Sequence, residues 1–269
     1  MARLFLLCLL FCSNILFSEY PLNPYVTQEV REAVTPFFLP ENHPIKKKLD
    51  SIFYNKRVTA NLESIREAGF EPTEVQGVVC LALKHKECKG YVFKVLPDDR
   101  KTRVDWECWV RRVKGSKRLR RAILEFGYDK YFKVAKKWIY PLPAEPSPSA
   151  EFPPEERKNY ILVVENLDPI ARKKNWSTWR KNSDENIYKK LIDIVTATGA
   201  GDCVRPNNIP WCHDGRIALV DTETTLRWPV NFHPMLEVTN KKMRKRLKKI
   251  IKERGGSGYI LEKPSKHIQ

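Results

Sequence analysis

The chain is poor in what most metal and hydrolase chemistry needs. It has no C-x-x-C pair, and its five histidines are scattered singly. A structural zinc site, which groups Cys and His at short spacings, is therefore excluded as a reading. G-x-S-x-G and H-E-x-x-H are both absent, so the nucleophile elbow and the zincin helix are excluded too. Glycine is scarce, at 11 residues, and no G-x-G-x-x-G run occurs. The Gly255-Gly256-Ser257-Gly258 cluster follows no strand, so it does not read as a phosphate loop. After residue 18 no segment is apolar enough to span a bilayer. Acid is short as well: 32 acidic residues face 49 basic ones, a net charge of +17. That balance attracts phosphates, anionic lipid heads or acidic proteins without choosing among them.

What is present suits a folded chain of one or two domains, with 42% hydrophobic and 30% charged residues. Residues 1–18 read as an export signal, with Arg3 ahead of an apolar run from Leu4 to Phe17. The expected location is therefore secreted or periplasmic. Five cysteines remain beyond it: Cys80, Cys88, Cys108, Cys203 and Cys212. Cys203 and Cys212 could bridge, or stay as buried thiols. Residues 19–76 read as a helical extension wrapped on the surface, with a helix opening at Asn61 and stopping at Gly69. Residues 77–165 read as a small β-rich unit with one helix. Its strands are Val78–Leu83, Tyr91–Leu96, Tyr131–Tyr140 and Tyr160–Glu165, and its helix is Asp105–Phe126, kinked near Gly115-Ser116. Lys94 is the lone cation in YVFKVL. It either snorkels from a sheet edge or is held on its strand to bind phosphate oxygens. Glu107 falls in the first turn of the helix, where a carboxylate suits the dipole; it is either solvated or reaches back to Lys94.

Residues 166–269 follow a polar exit at Glu165–Asp168. A helix at Asn186–Thr198 leads into GAGDCVRPNNIPWCHDGRIALVDTE, residues 199–223. Asp214-Gly215 is the turn of a hairpin there, which brings Asp202, Asn208, Asp221 and Glu223 toward one volume. Hard oxygen ligands from separate segments are what a Mg²⁺–phosphate site needs. Thr239–Arg254 is a basic amphipathic helix, with Met243, Leu247, Ile250 and Ile251 on its apolar face. Its other face is either merely solvated or binds an anionic surface or an acidic protein. No specific nucleic-acid motif is visible.

The order of these parts resembles the protein-kinase-like superfamily, above all its small aminoglycoside- and choline-kinase-type relatives. Arg205-Pro206-Asn207-Asn208-Ile209 looks like that family's K-P-x-N-I run, and Asp221-Thr222-Glu223 stands at its D-F-G position. The resemblance implies an α+β fold of two lobes, a small antiparallel-sheet lobe and a truncated helical lobe. It implies ATP and Mg²⁺ as cofactors: Asn208 and Asp221 would hold metal, Lys94 the phosphates with Glu107 as its partner, and Glu165 would lie at the hinge. Asp202 would be the catalytic base, although the family's D-x-x-x-x-N spacing counted back from Asn208 lands on Cys203. An active phosphotransferase and a degenerate pseudokinase are both expectations of this resemblance. The alternative is a secreted basic protein that acts through its C-terminal helix.

Overall fold

The computed structural model describes Tyr20 and residues 23–74, 80–100, 105–147, 157–255 and 259–261. The expected export signal and Gly256–Gly258 lie outside them. The fold is mixed α+β, with eight α-helices and a five-stranded antiparallel sheet among the described residues. The sheet contains β1 (Phe70–Pro72), β2 (Leu81–His85), β3 (Tyr91–Val95), β5 (Lys137–Pro141) and β6 (Tyr160–Glu165), in the order β1-β2-β3-β6-β5. The expected strand at Tyr131–Tyr140 divides in two. β4 (Phe132–Val134) leaves this sheet to pair in parallel with β7 (Ile217–Leu219).

The apolar run of β6 follows from cover on both faces. Ile161 and Val163 point into a core built with Leu39, Leu49, Phe53, Ile65, Leu83 and Phe93. Tyr160, Leu162 and Val164 point the other way, against Trp109, Val110 and Val113. The first face is closed by α2 (Lys46–Phe53) and α3 (Leu62–Glu67), which follow α1 (Gln28–Val34). The stretch expected to wrap on the surface thus covers one face of the sheet, with Leu49 and Phe53 on one side of α2 and Ile65 on α3 all buried against it. The second face is closed by α4 (Asp105–Glu125). β3 is central rather than an edge, so Lys94 has no sheet edge from which to snorkel. Its register opposite Leu162 turns it to the α4 side.

The helix α4 is continuous through Gly115-Ser116. Gly115 serves a close approach: a Cβ there would overlap the carbonyl oxygen of Thr222 and lie 3.0 Å from its carbonyl carbon. The C-terminal half of α4 enters a second core with Leu119 and Ile123. That core gathers β4, β7, α5 (Arg172–Lys181), α6 (Glu185–Thr198), α7 (His233–Val238) and α8 (Lys241–Arg254). A parallel pair, β8 (Val230–Asn231) with β9 (Tyr259–Ile260), lies beside it.

Asp105 fastens the start of α4 to the sheet. Its carboxylate accepts from Trp106 N and Tyr160 N, each at 2.7 Å, with almost no exposure. Burial outweighs these hydrogen bonds and the nearby Lys158, and pushes the carboxyl up to about 7. The native state then holds a proton that the unfolded chain has released. Stability is expected to fall by roughly 1.4 kcal/mol per pH unit between about 4 and about 7. Denaturant midpoints across this range should show the slope, and Asp105→Asn should flatten it while lowering stability throughout, since one backbone N–H loses its acceptor.

Candidate functional site

The 199–223 stretch closes much as its turn chemistry dictates. Gly215 takes φ +79, Gly215 N donates to Cys212 O at 3.0 Å, and Cys212 N donates to Arg216 O at 2.8 Å. The pairing continues through Ala218 N to Pro210 O at 2.8 Å and Val220 N to Asn208 O at 3.0 Å. The first arm is held by an isolated bridge, Trp211 to Ile217, rather than by a full strand. Asn208 and the start of the 221–223 segment are therefore neighbours. The Asn208 amide donates to Asp202 O at 3.0 Å, which closes the loop between them. The Asp202 carboxylate accepts from the Thr224 hydroxyl and lies 3.8 Å from Arg205. Cys203, at the counted base position, is buried, and burial pushes its thiol well up. It donates to Asp221 O at 3.3 Å. A protonated donor cannot accept a hydroxyl proton, so Cys203 is unsuited to base chemistry. Cys203 and Cys212 are both free thiols.

Around Asp221 the side chains that converge are mostly cations. Arg112 of α4 reaches Asp221 Oδ1 at 2.5 Å and Glu223 Oε2 at 2.7 Å. Arg111 reaches Glu223 Oε1 at 3.1 Å. Lys137 of β5, fully enclosed, donates to Val220 O at 2.9 Å and to Thr222 Oγ1 at 2.7 Å. The Thr222 hydroxyl in turn donates to Arg112 O at 2.6 Å. Lys94 approaches from β3, half-buried, and acts electrostatically on Asp221. Burial pushes the Asp221 carboxyl up, but Lys94, Arg112 and Lys137 together overcome this and hold it down at about 2. Burial and Arg112 lower the Lys94 ammonium against the pull of Asp221. Burial, reinforced by Lys94, lowers Lys137 much further.

Lys94 thus acts on Asp221, and Asn208 closes on Asp202 and adjoins Val220, whereas Glu107 and Glu165 take other partners. Glu107 lies on the outer side of α4, its side chain 52% exposed, and pairs with Arg111 at 3.2 Å instead of Lys94. It stands two residues before the buried Trp109, a turn of about 200° that puts it on the opposite side of the helix. Glu165 ends β6 opposite Tyr91, three residues along β3 from Lys94, and accepts from Lys136 N at 3.1 Å. Arg112 and Lys137 were not legible as site residues among so many cations. A signal existed all the same: Trp109, Arg112, Val113 and Ser116 fall at i, i+3, i+4 and i+7, which places Arg112 on the buried stripe of α4. Lys137 likewise begins the strand KWIYP as Lys94 interrupts YVFKV.

These residues do not fit a divalent ion. Mg²⁺ takes near-octahedral oxygen ligands and gains from anionic charge. Here one guanidinium already occupies both carboxylates, with the Lys94 and Lys137 amino groups close by. Among the described residues no group of three or more His, Cys, Asp or Glu side chains is arranged to hold a metal. Neither a protein-family model nor a curated protein matches the chain.

Proposed function

We propose that the chain is a kinase-like module that has lost metal-dependent phosphotransfer and serves as a non-catalytic binding scaffold. The observation that carries this reading is the Arg112 guanidinium bridging Asp221 and Glu223. Arginine cannot be deprotonated at ordinary pH, so it neutralises Asp221 permanently. The kinase-like half of the reading draws support from three features. They are the strand lysine on the α4 side of a five-stranded antiparallel sheet, the Asn208–Asp221 hairpin, and the amide of Asn208 closing on Asp202. The non-catalytic half is supported by the protonated Cys203 at the counted base position. The export reading of residues 1–18 agrees with it, since a chain outside the cytoplasm meets little ATP.

Calorimetry with ATP, with and without Mg²⁺, and an assay of phosphate release test the reading on the full chain. Expected are no Mg²⁺-dependent binding and no turnover. Mg²⁺-dependent turnover that Asp221→Ala abolishes would establish an active phosphotransferase instead.

A further inference from the structure

The cations of α8 divide by type. Its arginines are engaged within the protein. Arg244 donates to Leu236 O at 2.8 Å and Thr239 O at 3.1 Å, and so caps the end of α7. Arg246 pairs with Glu185 at 2.7 Å, and Arg254 with Asp193 at 2.7 Å. The lysines point outward. Lys241, Lys245, Lys248 and Lys252 fall at i, i+4, i+7 and i+11, and Lys249 flanks them; all five are exposed, as is the sixth lysine of α8, Lys242. Among the described residues only Lys249 of these five has an ion-pair partner, Glu253 at 3.7 Å. The opposite side, Met243, Leu247, Ile250 and Ile251, is buried in the helical core. The result is a straight row of ammonium groups about 16 Å long.

Packed like charges are unfavourable to the helix itself. Like charges at i,i+4 destabilise a helix, and α8 tolerates them because its buried face docks on α6 and its Asn240 cap accepts from Met243 N. The end of α5 adjoins the start of the row, where Asn240 donates to Arg180 O at 3.3 Å, and Arg180 and Lys181 are exposed there too.

We propose that the lysine face of α8 is a docking surface for an anionic lipid bilayer. The choice of partner follows from the chemistry of the face. Single-stranded nucleic acid is held by basic tracks with aromatic platforms for stacking, and base edges in a duplex are read most often by arginine forks. The outward side of α8 has no aromatic residue, and its arginines are turned to protein partners. What remains is a set of independent, flexible point charges. Such charges suit headgroups that rearrange laterally to meet them, in the manner of a polybasic segment at a membrane. The proposed contact is peripheral, because the apolar side of α8 is buried in the protein and only its lysines face outward. This surface does not depend on the Arg112 site, so either proposal can fail without the other.

Co-sedimentation of the full chain with phosphatidylcholine vesicles, with and without phosphatidylserine, is the test. Binding is expected only where phosphatidylserine is present, and it should weaken steeply with added salt. Changing Lys241, Lys245, Lys248, Lys249 and Lys252 together to Gln should lower partitioning by roughly 100-fold or more. The matching five-fold Lys→Arg variant should keep it, which separates charge from any effect on folding. Equal binding by the Gln variant would overturn the proposal. So would binding of duplex DNA or RNA through the same lysines that is tighter than binding to the anionic vesicles.

Discussion

Gly115→Val prevents α4 from seating against residues 221–223, and the chain is expected not to reach its native fold. Already at Gly115→Ala the added Cβ overlaps Thr222 O, a backbone atom that cannot swing aside as a flexible side chain would. Thr222 is itself pinned, since its hydroxyl donates to Arg112 O and accepts from Lys137. Relief therefore requires moving the whole helix. Overpacking of this kind costs at least about 3 kcal/mol, the upper part of the usual range. For a chain of this size that lowers the melting temperature by roughly 10 °C. Gly201→Ala is the control, because nothing lies within 4 Å of its added Cβ. Thermal melts followed by near-UV circular dichroism compare the three variants. An unchanged melt for Gly115→Ala would show that α4 does not pack on Thr222 as described.

Arg112→Met is the second large effect. The guanidinium is 8% exposed as a residue and serves two carboxylates at once. Removing one member of a buried ion pair leaves uncompensated charge and costs about 3–5 kcal/mol. Arg112→Lys should recover little, because a single ammonium cannot bridge two carboxylates with the arginine fork. Adding Asp221→Asn to Arg112→Met should restore part of the loss, since the orphaned carboxylate disappears. Urea unfolding measures all four proteins. The pH dependence carries a sign as well. Asp221 is held at about 2 in the fold, against roughly 3.9 unfolded, so its contribution is complete above about pH 4 and fades as pH falls toward 2. Without Arg112 that acid-side loss should shrink.

Local pattern was enough for several elements and not enough for the site. The run YILVVE announces β6, and NIYKKLIDIVTAT announces α6, because burial on both faces or on one stripe writes itself into hydrophobic period. The basic helix at 239–254 was legible for the same reason, and α8 spans Lys241–Arg254. The Asp214-Gly215 turn likewise placed Asn208 beside Val220. Gly115 was read only as a kink point, while its use as a close-approach point depends on a segment more than a hundred positions away. Glu107 misled because its place in the first turn fits a dipole partner, yet the phase set by Trp109 turns it outward. Arg112 was hidden by number: in a chain with 49 basic residues, one arginine on an apolar stripe stands out only when the stripe is counted. The residue that bridges Asp221 and Glu223 was thus the least visible in composition.

The most direct test of Arg112 as the occupant of the Asp221 carboxylate is a Mn²⁺ titration followed by electron paramagnetic resonance, with and without ATP. Expected is a full free-Mn²⁺ signal with the wild-type chain alone. With ATP present, the signal should fall only as far as ATP itself accounts for, with no difference between wild type and Asp221→Ala. Capture of Mn²⁺ by the wild-type chain that Asp221→Ala abolishes would contradict it, because Asp221 would then be a metal ligand despite Arg112.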